Sequence, residues 1–146
     1  CTPLVFCDPI KKVIATSHSG WRGTVKEIGK ITIEKMQAEF GCNPSDIIAC
    51  IGPCIQNCCY EVDTPVLEAF QKLEYLNFNK IFTDKGGGKY WLDMVEANKQ
   101  ILMAAGIKEE NMDISDLCTN CNSDILHSHR ATKGQRGTIG VIIELI

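Results

Sequence analysis

The densest group of reactive side chains in this 146-residue sequence is the block His18-Ser19-Gly20-Trp21-Arg22-Gly23-Thr24. Its glycines let the backbone turn sharply and approach a ligand closely. Where the block runs into a helix, the amides of Gly23 and Thr24 are expected to point outward at the helix N-terminus, and Arg22 adds a planar cation. Together these groups make an oxyanion or phosphate site. Taken singly, the same features describe a glycine-rich turn with a packed Trp21, a surface Arg22 and a structural His18. Only their combination carries the functional reading.

Cys1 is the second candidate. A thiolate becomes a nucleophile or a metal ligand when a histidine, a cation or a metal lowers its pKa, and His18 lies one predicted hairpin away. Adjacent hairpin strands bring such a pair within ligand reach. Catalytic zinc keeps three protein ligands and a water, so Cys1 and His18 need a third. The other candidates are weaker. Cys118-Thr-Asn-Cys121 is a CxxC without a second CxxC at zinc-ribbon spacing, which argues against a zinc finger. Cys54, Cys58 and Cys59, after Gly52-Pro53, read as packing residues more than as ligands. His127-Ser-His129-Arg130 reads as a polar loop in which Arg130, with Arg136, clamps an anion. Tyr60-Glu61 offers a hydrogen-bonding pair.

The elements that must position these groups follow from pattern. Leu4 to Cys7 and Val13 to Ser17 are β-rich runs joined across Asp8-Pro9, which predicts a hairpin. Val25, Ile28, Thr32, Met36 and Phe40 recur at steps of three and four and predict one helix stopped by Gly41. Ile47 to Ile51 is a buried strand, and Thr64-Pro65 opens a helix carrying Val66, Leu67, Phe70 and Leu73. Gly86-Gly87-Gly88 is a hairpin tip before Lys89 to Leu92, not a phosphate cradle, because no Gly-Lys-Ser/Thr follows it. Asp93 caps a helix over Met94 to Ala105, with Gly106 at its end. Met112 to Ile114 is a short strand, residues 118–135 form a polar connector, and Thr138 to Ile146 is a closing apolar strand. Hairpins interrupt the alternation of strand and helix, so the expectation is a mixed sheet with helices packed on it.

Composition bounds the function classes. Fifteen Lys+Arg against eighteen Asp+Glu give a net charge of −3, which leaves no basic field to collect nucleic acid or an anionic membrane surface. No apolar run approaches the ~20 residues that span a bilayer. The nine cysteines are an odd count, and Cys7 and Cys50 sit inside apolar runs as small hydrophobes. That usage fits a reducing cytoplasm without structural disulfides. The length suits one domain over residues 1–146, and a first residue that is not methionine reads as a processed product or a piece of a longer chain.

With these blocks in view, the sequence strongly resembles the laccase-domain family, also called polyphenol-oxidase-like or multicopper polyphenol oxidase, which includes the peptidoglycan editing factor and bacterial purine nucleoside phosphorylase members. The matching stretches are Cys1-Thr-Pro-Leu-Val-Phe-Cys7, His18-Ser-Gly-Trp-Arg-Gly-Thr24, Ile51-Gly-Pro-Cys-Ile55 with Tyr60-Glu-Val62, and Cys118-Thr119 through Ser128-His-Arg130 to Arg136-Gly137. The resemblance implies an α+β fold, a four-layer α/β/β/α sandwich with mixed sheets, of which this chain is the C-terminal three-fifths. It implies a metal held by Cys1, His18 and a histidine of a Val-His-Gly type block expected upstream of residue 1. Zinc is the metal it favours, with copper second. It implies phosphorolysis of adenosine, inosine and methylthioadenosine and hydrolytic deamination of adenosine, with Cys1 and His18 catalytic. Arg22, Gly23 and, more weakly, Arg136 bind the substrate or phosphate. A small-molecule nucleoside and phosphate are then the partners, and a homodimer is compatible. His127 replaces the usual aromatic residue and Ala131 a frequent second arginine.

Three other readings compete. Copper-dependent phenol oxidation needs more imidazoles than three histidines supply. An N-terminal nucleophile hydrolase would use Cys1 with its own α-amino group as base. A Cys-His hydrolase or a binding module would act on misincorporated cell-wall precursors.

Overall fold

The computed structural model describes residues 1–135 and 137–146, and Arg136 lies outside them. Strands β1 (Thr2–Asp8) and β2 (Val13–Ser19) form the expected hairpin, with Thr2 opposite Ser19 and Asp8 opposite Val13. Along β1 the side chains alternate, so Thr2, Leu4, Phe6 and Asp8 are buried while Pro3, Val5 and Cys7 face the other side. The turn is fastened by Asp8, whose Oδ1 accepts from the amides of Ile10 and Lys11 at 2.9 Å each. Burial alone would push the Asp8 carboxyl up, but the Lys11 amide, the Cys42 thiol, the Ile10 amide and the Lys11 charge together outweigh it and hold its pKa below the usual carboxylate range.

Strand β3 (Ile48–Ile51) joins the other edge of β1 antiparallel, and β7 (Met112–Ile114) joins β3 in parallel, giving a mixed sheet in the order β2-β1-β3-β7. A second, antiparallel sheet has the order β4-β6-β5, from β4 (Glu61–Asp63), β6 (Lys89–Leu92) and β5 (Phe82–Gly86). Gly86, Gly87 and Gly88 close its hairpin at φ of 83°, 64° and 73°, angles that cost glycine little. The class is α+β with mixed sheets, as the sequence implies.

Among the described residues five α-helices cover the sheets: α1 (Trp21–Val25), α2 (Ile28–Phe40), α3 (Thr64–Gln71), α4 (Phe78–Ile81) and α5 (Met94–Ala104). Asp93 caps α5 as expected, accepting from the Glu96 amide at 2.8 Å. That helix unites the molecule. Leu102 packs with Leu4, Phe6, Ile33 and Ile51 under the first sheet, while Met94, Ala97 and Ile101 pack with Phe70, Ile81 and Leu92 under the second. Each of the fully buried Leu, Ile, Met and Phe side chains among these contributes about 1.5–3 kcal/mol of burial. No helix among the described residues is long and apolar enough to cross a membrane.

Two expectations are corrected. The single helix from Val25 to Phe40 is two helices, broken at Glu27, which sits at φ 55°. The face that α2 buries is Gly29, Ile33 and Met36, and Phe40 is exposed. Gly29 lies so close to α5 and β1 that an added Cβ would stand 2.9 Å from Leu102 and 3.1 Å from Leu4. α1 is anchored separately, and the chain breaks between the two anchors. The closing strand over Thr138 to Ile146 is not formed either. These residues make no ladder, and Ile142 and Ile146 are exposed. An apolar run becomes a strand only beside a partner edge, and none of the described strands pairs with this one.

The α1 anchor is a buried polar network. Asn98 on α5 donates its Nδ2 to the Met94 carbonyl at 2.8 Å, which turns Oδ1 toward Ser19, whose hydroxyl donates to it at 2.8 Å. Since Ser19 has spent its only proton, Thr24 supplies the one between the two hydroxyls, 2.8 Å apart, sharing it with the Gly20 carbonyl at 3.0 Å. Asn98→Leu removes the acceptor of the buried Ser19 hydroxyl, whose proton can then turn only to Thr24 while Thr24 donates to the Gly20 carbonyl. It is expected to cost about 0.5–1.5 kcal/mol, the net worth of one hydrogen bond, with Ser19→Ala costing less when added to Asn98→Leu than on its own. Denaturant unfolding measures both, and an unchanged Asn98→Leu midpoint would remove the network as the anchor.

Candidate active site

The hairpin register places Pro3 opposite His18, and Cys1 lies on the same side of β1 as Pro3. The Cys1 thiol and the His18 imidazole therefore share one face. They meet over Gly20, where an added Cβ would stand 3.3 Å from Cys1 Sγ and 3.8 Å from His18 Nε2. Glycine there leaves the space that a thiolate and an imidazole nitrogen need to converge on a third body. This soft and borderline donor pair suits zinc or copper more than magnesium or calcium.

Both side chains open into a cavity of about 490 Å³. Pro3, Pro53, Ile55 and Ile139 give it apolar walls, and Tyr60, Thr119, Ser128 and Arg130 add polar groups. Tyr60 arrives because its carbonyl accepts from the Leu92 amide at 2.9 Å, which ties the loop after β3 to the second sheet. Burial raises the Tyr60 phenol pKa, and the positive charges of Arg130 and Arg22 only partly offset it. The Arg130 guanidinium lies over the Tyr60 ring at 5.4 Å and donates Nη2 to the Glu61 carbonyl at 3.1 Å. Buried Ser128 shapes the turn that carries His127, His129 and Arg130, its Oγ accepting from the Ala131 amide at 3.2 Å and its carbonyl from Thr132 Oγ1 at 2.8 Å. His127 and His129 both line the cavity.

The structure redistributes the expected anion groups. Arg22 is exposed, stacks on the Trp21 ring at 4.2 Å and does not line the cavity. The Thr24 amide donates to the Gly20 carbonyl at 2.8 Å, so the helix itself consumes it. Gly23 faces inward, where a Cβ would meet the His18 carbonyl at 3.2 Å. The Thr24 amide of the expected cradle is therefore spent inside the helix, and the Cβ side of Gly23 packs on the His18 carbonyl. The cavity's arginine among the described residues is Arg130; Arg136 is not described.

The cysteines read as packing residues are also corrected. Cys58 and Cys59 meet the CxxC cysteines Cys118 and Cys121, all four sulfurs lying within 4.8 Å of one another. Cys54 alone of that stretch is core, bridging to Cys118 along the backbone, with its carbonyl accepting from the Thr119 amide at 3.0 Å. Burial would raise the Cys118 thiol, but amides including that of Gln56, 3.5 Å from Sγ, bring it down to about 7. Burial and the neighbouring sulfurs drive Cys58 the other way, far above the usual thiol range. The signal in the sequence was the pairing of a Cys-Cys step with a distant CxxC.

A family model described as multi-copper polyphenol oxidoreductase laccase matches residues 1–146. The chain belongs to this laccase-like family. It is 39% identical over 137 residues to the purine nucleoside phosphorylase YlmD of Bacillus subtilis (strain 168), covering 94% of this chain and 49% of that protein. It is 37% identical over 131 residues to the adenosine deaminase RL5 of an unknown prokaryotic organism, covering 89% and 49%. The crystal structure of the hypothetical protein YfiH of Bacillus licheniformis superposes with a TM-score of 0.89 at 36% identity, over 92% of this chain and 51% of that one. The chain thus spans about half the length of the relatives it matches.

Gly20 tests the convergence of Cys1 and His18. Its backbone, at φ −72° and ψ 168°, accepts any residue, so Gly20→Ala is expected to keep stability within about 1 kcal/mol. The new methyl group should slow alkylation of Cys1 several-fold, as read by peptide mass mapping. Unchanged alkylation would mean that the two groups do not share that space.

Proposed function

We propose that this chain carries the purine nucleoside site of a phosphorylase of the family, which cleaves adenosine, inosine and methylthioadenosine with phosphate and also deaminates adenosine. The observation that carries this reading is the placement of Cys1 and His18 in one cavity with Tyr60 and Arg130. Its volume, about 490 Å³, lies within the ~300–1,000 Å³ range of small-molecule sites. The names of the phosphorylase and deaminase relatives support the substrate class.

Cys1 Sγ and His18 Nε2 are the chain's two ligands for a zinc ion, and the third is the histidine that the family pattern puts upstream. When bound, the zinc supplies a Lewis acid that lowers the pKa of a water or polarises a substrate oxygen. The protein's own groups do the rest. Gly23, packed under the His18 carbonyl, holds the imidazole toward Cys1. The nucleoside lies against Ile55 and the Tyr60 ring, and water is excluded by Pro3, Pro53 and Ile139. Because burial raises the Tyr60 pKa, its phenol keeps its proton at neutral pH and donates a hydrogen bond. Arg130, oriented by the Glu61 carbonyl, takes the phosphate with its guanidinium fork. Arg22, though outside the cavity lining, and Arg136 add weaker attraction for the same anion.

Steady-state phosphorolysis of adenosine and inosine by the complete gene product tests the reading. Arg130→Ala removes a charge-assisted contact of about 1.5–3 kcal/mol and should raise the phosphate KM about 10- to 150-fold. Arg22→Ala should raise it less, and Cys1→Ala should lower kcat and metal content together. Turnover that ignores phosphate, or an Arg130→Ala enzyme with an unchanged phosphate KM, would overturn the assignment.

A further inference from the structure

We propose that Cys58, Cys59, Cys118 and Cys121 form a second metal site, a closed tetrathiolate that takes zinc and clamps two walls of the nucleoside cavity. Three observations lead there. First, the four sulfurs come from two stretches far apart in sequence, yet all lie within 4.8 Å of one another. The spacings are 3.7 Å for Cys58–Cys59, 3.7 Å for Cys58–Cys121 and 3.4 Å for Cys59–Cys121. A tetrahedral zinc with Zn–S of about 2.3 Å has S···S edges of about 3.8 Å, so the thiols already stand close to that figure. They are too far apart for disulfide sulfurs, which sit about 2.0 Å apart.

Second, core filling does not explain them. Cysteine used as a hydrophobe is buried, but Cys58 and Cys121 are exposed and Cys59 is only partly covered. Cys118 alone is buried, and the Gln56 amide donates toward its sulfur at 3.5 Å. An inward sulfur with an amide donor beside three sulfurs reachable from solvent is the arrangement of a ligand set open to metal loading. Third, the backbone around the cluster is already fixed. Residues 56–60 are turned by bonds from the Cys59 and Tyr60 amides to the Gln56 carbonyl, both 2.9 Å. The Asn122 amide and Nδ2 hold the Cys118 carbonyl at 3.0 and 2.8 Å.

An all-thiolate tetrahedron selects zinc or iron among common metals, and zinc fits a structural role because it carries no redox chemistry. Loading releases the thiol protons as the sulfurs become thiolates. The site is distinct from the Cys1 and His18 pair. Its effect on that cavity runs through sequence neighbours, since Cys59 precedes Tyr60 and Cys118 precedes Thr119, both lining residues.

Differential alkylation reads the site directly. The full chain is treated with zinc alone or with a chelator, alkylated, and mapped by peptide mass. Zinc should protect Cys58, Cys59, Cys118 and Cys121 together and raise the unfolding temperature. The same protection should persist in Cys1→Ala, which separates this site from the one proposed for catalysis. Cys118→Ser/Cys121→Ser should lose one zinc equivalent and expose Cys58 and Cys59. Cobalt titration of the unmutated chain covers the case in which that variant fails to fold, and should give the thiolate charge-transfer and visible bands of a tetrahedral sulfur site. Equal alkylation with and without zinc, disulfides within the cluster under reducing purification, or iron in place of zinc would each overturn the proposal.

Discussion

The buried triad of Asn98, Ser19 and Thr24 is the constraint on which the site rests. Its proton bookkeeping closes only one way: Asn98 fixes Ser19, and Ser19 obliges Thr24 to donate. In a low-dielectric interior an unpaired hydroxyl is costly, so the end of β2 and the start of α1 have one stable position on α5. His18 and Gly20 flank Ser19 and inherit that position. A histidine on a hairpin end would otherwise sample many orientations; here the residue that follows it, Ser19, is held by an internal polar lock.

From that lock the architecture spreads in two directions. α5 lends Leu102 to the core under the mixed sheet and Met94, Ala97 and Ile101 to the core under the antiparallel one. The loop between β3 and β4 crosses from one sheet to the other and carries Ile55 and Tyr60 past the hairpin end. The cavity lies at that crossing because the segments entering it have spent their backbone bonds elsewhere, on Leu92, Gln56 and Cys54.

What the sequence disclosed was local. The hairpin followed from Asp8-Pro9, α5 from the Asp93 cap, and the glycine tip from a run that only a positive φ explains. The approach of Cys1 to His18 was legible because antiparallel register fixes which residues face each other. The break at Glu27 was hidden, since it comes from two tertiary anchors pulling one periodic segment apart. Which arginine lines the cavity was hidden for a related reason: Trp21 offers Arg22 an aromatic face, and Tyr60 offers Arg130 another within the cavity. Cys58 and Cys59 looked like filler beside a Gly-Pro turn, because nothing in their own neighbourhood reports that Cys118 and Cys121 fold back onto them. Membership of the laccase-like family was carried by short blocks that lie together in space.

The cavity takes Cys1 from one end of the chain and Thr138 and Ile139 from the other. Its walls therefore exist only when segments far apart in this sequence have met, after the slow loop closures of folding. A ligand seated there binds nothing that a partly folded chain can offer, so its binding energy adds wholly to the globally folded state. Occupancy of the cavity and integrity of the fold are thereby linked, so that any small molecule it holds raises the thermal margin of the whole chain.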